Sequence, residues 1–205
     1  LIGLIMIFGH NLFDGIDSSS LGKLGPLWIF LHVKSNFMIG SFTTYVYYPI
    51  IPWVGVMAIG YVFSGIYLFE AQKRQRLIFG LGLAVSLLFF LVRGLNVYGD
   101  MVPWKVQSTM GMTFVSFFNV TKYPPSLSYL LMTLGPSIML LAVFEHIKGK
   151  IADFLIVFGR VPMFFYIVHL YLIHVLAVIL GWYQGYSFFE MFKDFESFPP
   201  KFGVS

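Results

Sequence analysis

The chain has 205 residues, 58% of them hydrophobic and 20% aromatic, while 11% are charged; its mean hydropathy is +0.82. A soluble domain of this size has too little interior for so much apolar surface, whereas a membrane protein turns it to lipid. The formal charge of +4 comes from scattered basic residues, which read as topology signals and not as a nucleic-acid surface. Cysteine is absent, which excludes disulfides, thiolate metal sites and a cysteine nucleophile.

Residues 1–13 are the first apolar run. They fall short of the ~20 residues a bilayer span needs. With no initiator Met and no signal peptide in sight, the chain reads as the C-terminal part of a longer protein, truncated at its N-terminus. His10, Asn11 and Asp14 close the run. His10 and Asp14 are spaced i, i+4, on one helix face. A carboxylate so placed can fix the tautomer of a histidine base. The plainer reading is a polar helix end that reaches the interface.

Residues 15–26 read as a loop, ended by Gly25-Pro26. Residues 27–46 carry Trp28, Phe30, Phe37 and Tyr45 but are interrupted by His32 and Lys34, so a re-entrant or surface-lying piece is expected. Residues 48–69 form a good span. Pro49 and Pro52 sit at its entrance, and Gly55, Gly60 and Gly65 offer small surfaces for helix contact. After a basic turn at 70–76, residues 77–97 span again and bring Arg93 and Asn96, i, i+3, to the far end.

A long loop follows, with Asp100 and Pro103-Trp104; within it, 110–118 is apolar enough to lie on the membrane. Asn119, Thr121, Lys122 and Tyr123 then lead into Pro124-Pro125, which should hold the backbone extended, and Ser126 can cap a helix. Residues 127–144 span, with a kink expected at Gly135-Pro136. A second basic turn at 145–153 precedes the last span, 154–182, with a bend expected at Pro162. An aromatic tail, 183–205, ends the chain. The fold class is therefore all-α: a polytopic transmembrane bundle of about five membrane segments in a single membrane domain, 1–205.

The short basic turns belong in the cytoplasm by the positive-inside rule. Alternation then gathers the entrance at 48–53, the Arg93–Asn96–Asp100 group and the 119–126 turn on the outer side, where His169 and His174 can face them. Polar residues that converge from several segments mark a site. His169 and His174 are i, i+5, about 140° apart on a straight helix, so they cannot share a metal. His169 pairs better with Tyr166, on one face. No Walker A, GxGxxG, HExxH or GxSxG motif is present, and no metal site is expected. The Asn119-Val120-Thr121 sequon is a weak signal.

Four strings, YPIIPWVGVMAIGY, RGLNVYGDMVPW, SFFNVTKYPPSLSYLLMTLGP and FGRVPMFFYIVHLYLIH, resemble the bacterial DUF1624 family, which is grouped with the catalytic domain of heparan-alpha-glucosaminide N-acetyltransferase. The resemblance runs from His10-Asn11 to His174. It implies a membrane acyltransferase that takes an acetyl group from acetyl-CoA or another acyl-CoA, without a metal, to a glycan or small polar acceptor on the outer face. The expected setting is the lipid bilayer of a bacterial inner membrane, with no nucleic-acid partner. The family's Asp-His-x-Arg type motif lies in N-terminal helices that have no counterpart here, so those helices of the same protein are an expected partner.

From the residues themselves, the catalytic candidates are His169, His10 and Asp14. The substrate-binding candidates are Arg93, Asn96, Asp100, Asn119, Lys122, Tyr123 and His174. A carrier of a small polar solute, with Arg93 and Asp100 as ligands, and a non-catalytic membrane scaffold are the alternatives.

Overall fold

A computed structural model gives the fold and describes residues 1–187. Two compact units, Leu1–His146 and Ile147–Ser205, are taken each by itself. In chain order the elements are α1 (Ile2–Gly9), α2 (Gly25–Leu31), β1 (Ser35–Ile39), β2 (Phe42–Val46), α3 (Ile50–Phe63), α4 (Ala71–Leu95), α5 (Met110–Phe118), α6 (Leu127–Phe144), α7 (Lys150–Arg160) and α8 (Pro162–Tyr183). Short 3₁₀ turns continue α1 at His10–Phe13 and α3 at Ser64–Leu68. A third, Ser18–Leu24, is kinked at Gly22, and its N-cap Asp17 accepts a hydrogen bond from the Ser19 N–H.

The helical fold class stands. Among the described residues, four helical stretches are long and apolar enough to cross a membrane: Ile50–Leu68, Ala71–Leu95, Leu127–Phe144 and Pro162–Tyr183. Ile2–Phe13 is a shorter apolar helix.

The first unit is built on the antiparallel pair α4 and α6. Small residues bring their backbones together. A Cβ on Gly135 would lie 2.5 Å from Ser86 Oγ, and one on Gly82 would lie 2.6 Å from the Met139 backbone N. This is how membrane helices gain van der Waals contact where lipid offers no hydrophobic drive. α1 meets α3 the same way, through Gly3 and Gly55. Gly60 and Gly65 have nothing within 4 Å and take no part. Ile7, Phe89, Leu127, Leu130 and Leu131 form the buried core. Leu83, Leu87, Phe90 and Leu91 of α4 are exposed, as side chains that face lipid should be.

The basic turn at 70–76 and Glu145 lie at one end of this pair. Arg74 donates from Nε and Nη2 to the two carboxylate oxygens of Glu145, at 2.7 and 3.1 Å. That bidentate bond holds the Glu145 carboxyl below its ordinary range. Its contribution is present at neutral pH and is lost as pH falls through the lowered value.

Two segments differ from expectation. Residues 27–46 are not a single surface-lying piece. They form α2 and an antiparallel hairpin, in register from Ser35↔Val46 to Ile39↔Phe42. The turn is Gly40-Ser41, with Gly40 at φ +62°, a conformation that glycine adopts without cost. The alternating aromatic and β-branched residues around Gly-Ser are the hairpin signal. The last span is also not one helix. The chain breaks at Val161 (φ −128°, ψ 53°), and Pro162 opens α8 as a first-turn residue. Proline lacks the N–H and crowds the preceding turn, so it ends one helix and starts another. In the second unit the rings of Phe158 and Phe165 meet across that break, at 5.1 Å. Of the tail, residues beyond 187 lie outside the described part.

Candidate active site

At the end of the first unit opposite the Arg74–Glu145 pair, polar groups from α1, α2, α4 and the 96–126 loop close on the N-terminus of α6. The first N–H groups of any helix have no intrahelical acceptor, and here each finds one. Leu127 N–H donates to Asn11 Oδ1 (2.9 Å). Ser128 N–H donates to the Gly99 carbonyl (2.8 Å). Tyr129 N–H donates to Ser126 Oγ (3.0 Å), the cap expected from the sequence.

Ser126 donates in turn to Asp100 Oδ2 (2.7 Å). The Asp100 carboxylate also receives Thr121 N–H, Thr121 Oγ1–H and Val102 N–H, at 2.8–2.9 Å. Four donors leave that carboxylate nothing to seek, so Asp100 ties the loop to α6. The 122–125 stretch makes a turn with a cis Tyr123–Pro124 bond, instead of running extended.

Arg93 is 3% exposed. It donates from Nε to Phe117 O (2.9 Å), from Nη1 to Val102 O (3.0 Å), and from Nη2 to Ser116 O (3.2 Å) and Asn119 O (2.8 Å). The guanidinium fork suits such divergent acceptors. Its own carbonyl accepts from Trp104 Nε1–H (2.8 Å). Asn96 ends α4 in the left-handed region (φ 55°), which asparagine tolerates. Its side chain makes two 3.0 Å bonds with the Trp104 backbone. Arg93, Asn96, Asp100 and Asn119 thus come together, as expected, but their bonds run to backbone and loop.

Lys122 and Tyr123 sit apart from that group. Lys122 Nζ is 5.2 Å from the centre of the Tyr123 ring, and Lys34 Nζ is 5.3 Å from both Tyr123 and Tyr47. Hydrogen bonding with Tyr48 and then Lys122 draws the Tyr123 phenol below its ordinary pKa.

The remaining cluster was half legible. Asp14 makes no hydrogen bond with His10, its i, i+4 neighbour in a chain that tightens into a 3₁₀ turn at His10–Phe13, although one ligand atom of each lies within 4.8 Å of the other. Asp14 Oδ1 lies 3.0 Å from Nε2 of His32, which is 1% exposed. Asp14 Oδ2 accepts from Asn11 Nδ2–H (2.7 Å). The same Asn11 caps α6, so one amide links helix terminus, carboxylate and imidazole. The His10 ring lies edge-on to His32, 5.7 Å between centres, and the Trp28 ring packs on His32 at 5.0 Å. Among the described residues, both His10 nitrogens and His32 Nδ1 find no hydrogen-bond partner.

Asp14 and His32 border a cavity of about 250 Å³, which Met101 and Pro124 also line. His32 and Asn11 are thus the residues the sequence reading passed over. Their signal was a His and an Asn in otherwise apolar runs. In the second unit, His169 Nδ1 lies 3.2 Å from Phe165 O, and its ring stacks on Phe165 and tilts on Tyr166.

Spans, lipid-facing side chains and a buried polar end define an integral membrane protein. Residues 3–98, a little under half of the chain, match the family model described as "Heparan-alpha-glucosaminide N-acetyltransferase, catalytic", and that stretch is similar to this family. No curated protein and no solved structure matches the chain. The matched stretch holds His10, Asp14, His32, Arg93 and Asn96 and stops short of Asp100 and the 119–126 turn.

Proposed function

We propose that the protein is a transmembrane acetyltransferase that moves an acetyl group from acetyl-CoA or another acyl-CoA to an amine or hydroxyl acceptor, a glycan or a similar molecule, on the outer face of a bacterial inner membrane. The observation that carries this reading is the buried His32 bonded to a part-buried Asp14 at the edge of a cavity, inside the stretch that matches the acetyltransferase family.

With Asp14 ionised, His32 carries its proton on Nε2, toward the carboxylate. Nδ1 is then the basic nitrogen. It takes the N–H or O–H proton as the acceptor atom bonds to the acetyl carbonyl carbon. The carbon–sulfur bond breaks, and the departing thiolate of CoA takes a proton. Asp14 stabilises the imidazolium that forms, and Asn11 keeps Asp14 aimed. His10 walls the site from the α1 side. Arg93, Asn96 and Asp100 act by holding the loop that carries Asn119, Lys122 and Tyr123. Lys122 and Tyr123 offer the acceptor a cation and an aromatic face. His169 is the second candidate base, and His174 a substrate contact, both on α8 and both in need of the same mutational test.

The experiment is transfer of labelled acetyl from acetyl-CoA by the complete protein, with its N-terminal helices, in sealed vesicles that hold a panel of amino-sugar and hydroxyl acceptors. Label on an acceptor is the expected result. No transfer across the panel, with folded protein, overturns the reading. Orientation is checked separately. A cysteine at Gln75 should be shielded from an impermeant reagent in intact cells, and one at Lys105 should be labelled. The reverse pattern would put the cavity on the cytoplasmic side.

A further inference from the structure

We propose that His10, Asp14 and His32 form a binding site for one transition-metal dication, with zinc the best fit. Nothing in the sequence pattern showed this set, because its members lie on two segments and no HExxH-type spacing joins them. The fold assembles them. One ligand atom from each of the three lies within 4.8 Å of the others, and the Asp14–His32 pair is already at 3.0 Å. Bonds of 2.0–2.2 Å to zinc put neighbouring ligand atoms roughly 3.3 Å apart in a tetrahedron. A rotation of the His10 ring closes the remaining gap.

Three further observations point to a cation. First, His10 is 2% exposed, with both ring nitrogens unpartnered. Buried imidazole nitrogens normally find a donor or acceptor, and a metal supplies what the protein does not. Second, the set is two imidazoles and one carboxylate, a donor mix that suits zinc and excludes the all-oxygen preference of magnesium and calcium. Two histidines side by side cannot both take a proton without repulsion, whereas a dication leaves both neutral and balances Asp14. Third, the outer support of a metal site is present: Asn11 donates to the Asp14 oxygen that His32 does not use, and is itself fixed by Leu127 N–H. The cavity beside Asp14 and His32 leaves a fourth position for water or a small ligand.

The inference goes beyond acetyl transfer, and a zinc ion on His32 and Asp14 would take the imidazole assigned above as the base, leaving His169 as the candidate base; its test therefore reads metal and not turnover. The complete protein, purified in detergent and stripped with a chelator, is titrated with zinc against a chromophoric competitor and with cobalt by visible absorption. One zinc per chain and the intense bands of a four-coordinate cobalt site are expected. His10→Gln and Asp14→Asn should each weaken binding by roughly 100-fold, and Asn11→Ala by roughly 10-fold. Thermal unfolding provides the control for folding: zinc should raise the midpoint of the parent and leave that of His10→Gln unmoved. Should a variant fail to fold, His32→Gln replaces it. Zinc below one per chain, or equal affinity in parent and variants, overturns the site. Acetyl transfer that fails while zinc binds would remove the function proposed above and leave this site standing.

Discussion

With the function proposed above, His32→Ala should lower acetyl transfer by roughly 10²- to 10⁴-fold, the usual worth of a positioned general base. The expectation rests on burial and on Asp14. His32 is held by a carboxylate at 3.0 Å and by the Trp28 ring, so its orientation is fixed before an acceptor arrives. Asp14→Asn should lose less. It keeps a hydrogen bond but favours the wrong tautomer and no longer balances the imidazolium. His32→Gln guards against a trivial collapse of the site, because it retains volume and a donor to Asp14. If His32→Ala turns over like the parent while His169→Ala is dead, the base resides on α8. A loss in His169→Ala that exceeds the loss in His174→Ala is the pattern that assignment requires.

Arg93→Ala should remove about 3–5 kcal/mol of stability, in the range for breaking a buried charged network. Four carbonyls lose their donor at once: Phe117, Val102, Ser116 and Asn119. They belong to two stretches, the loop at Val102 and the C-terminal end of α5, which would separate from α4. Arg93→Lys should recover part of the loss, because one ammonium cannot reach acceptors spread around a planar fork. The measurement is thermal unfolding in detergent, with membrane yield beside it. A variant that unfolds like the parent yet binds acceptor poorly would return Arg93 to the role of substrate ligand that its place near a loop first suggested.

Composition and run length gave the class of the protein and the places of three of its spans, and set the last one, 154–182, eight residues too early. Mean hydropathy and run length suffice for that, because a bilayer demands about 20 apolar residues and tolerates few charges. The sequence also located Ser126 as a helix cap, the interruption at Pro162 and the meeting of Arg93 with the 119–126 turn, since each follows from local backbone chemistry or from alternation of the spans. It misplaced the hairpin at 35–46, where the interfacial aromatic pattern masked the period-2 signal.

Only the tertiary structure decided what Asp14 does. Spacing offered His10, four residues away, whose ring stays near Asp14 without a hydrogen bond to it, while the packing of α2 brings His32 from 18 positions further on to 3.0 Å. Asn11 shows the same limit. Its amide bonds Asp14 locally and the α6 terminus across 116 residues. A one-dimensional pattern reports which residues share a helix face. Which unpartnered donor or ring nitrogen comes to meet that face depends on how the helices pack, through Gly3 on Gly55 and Gly82 on α6, and on the need of every buried polar group near a helix end for a partner.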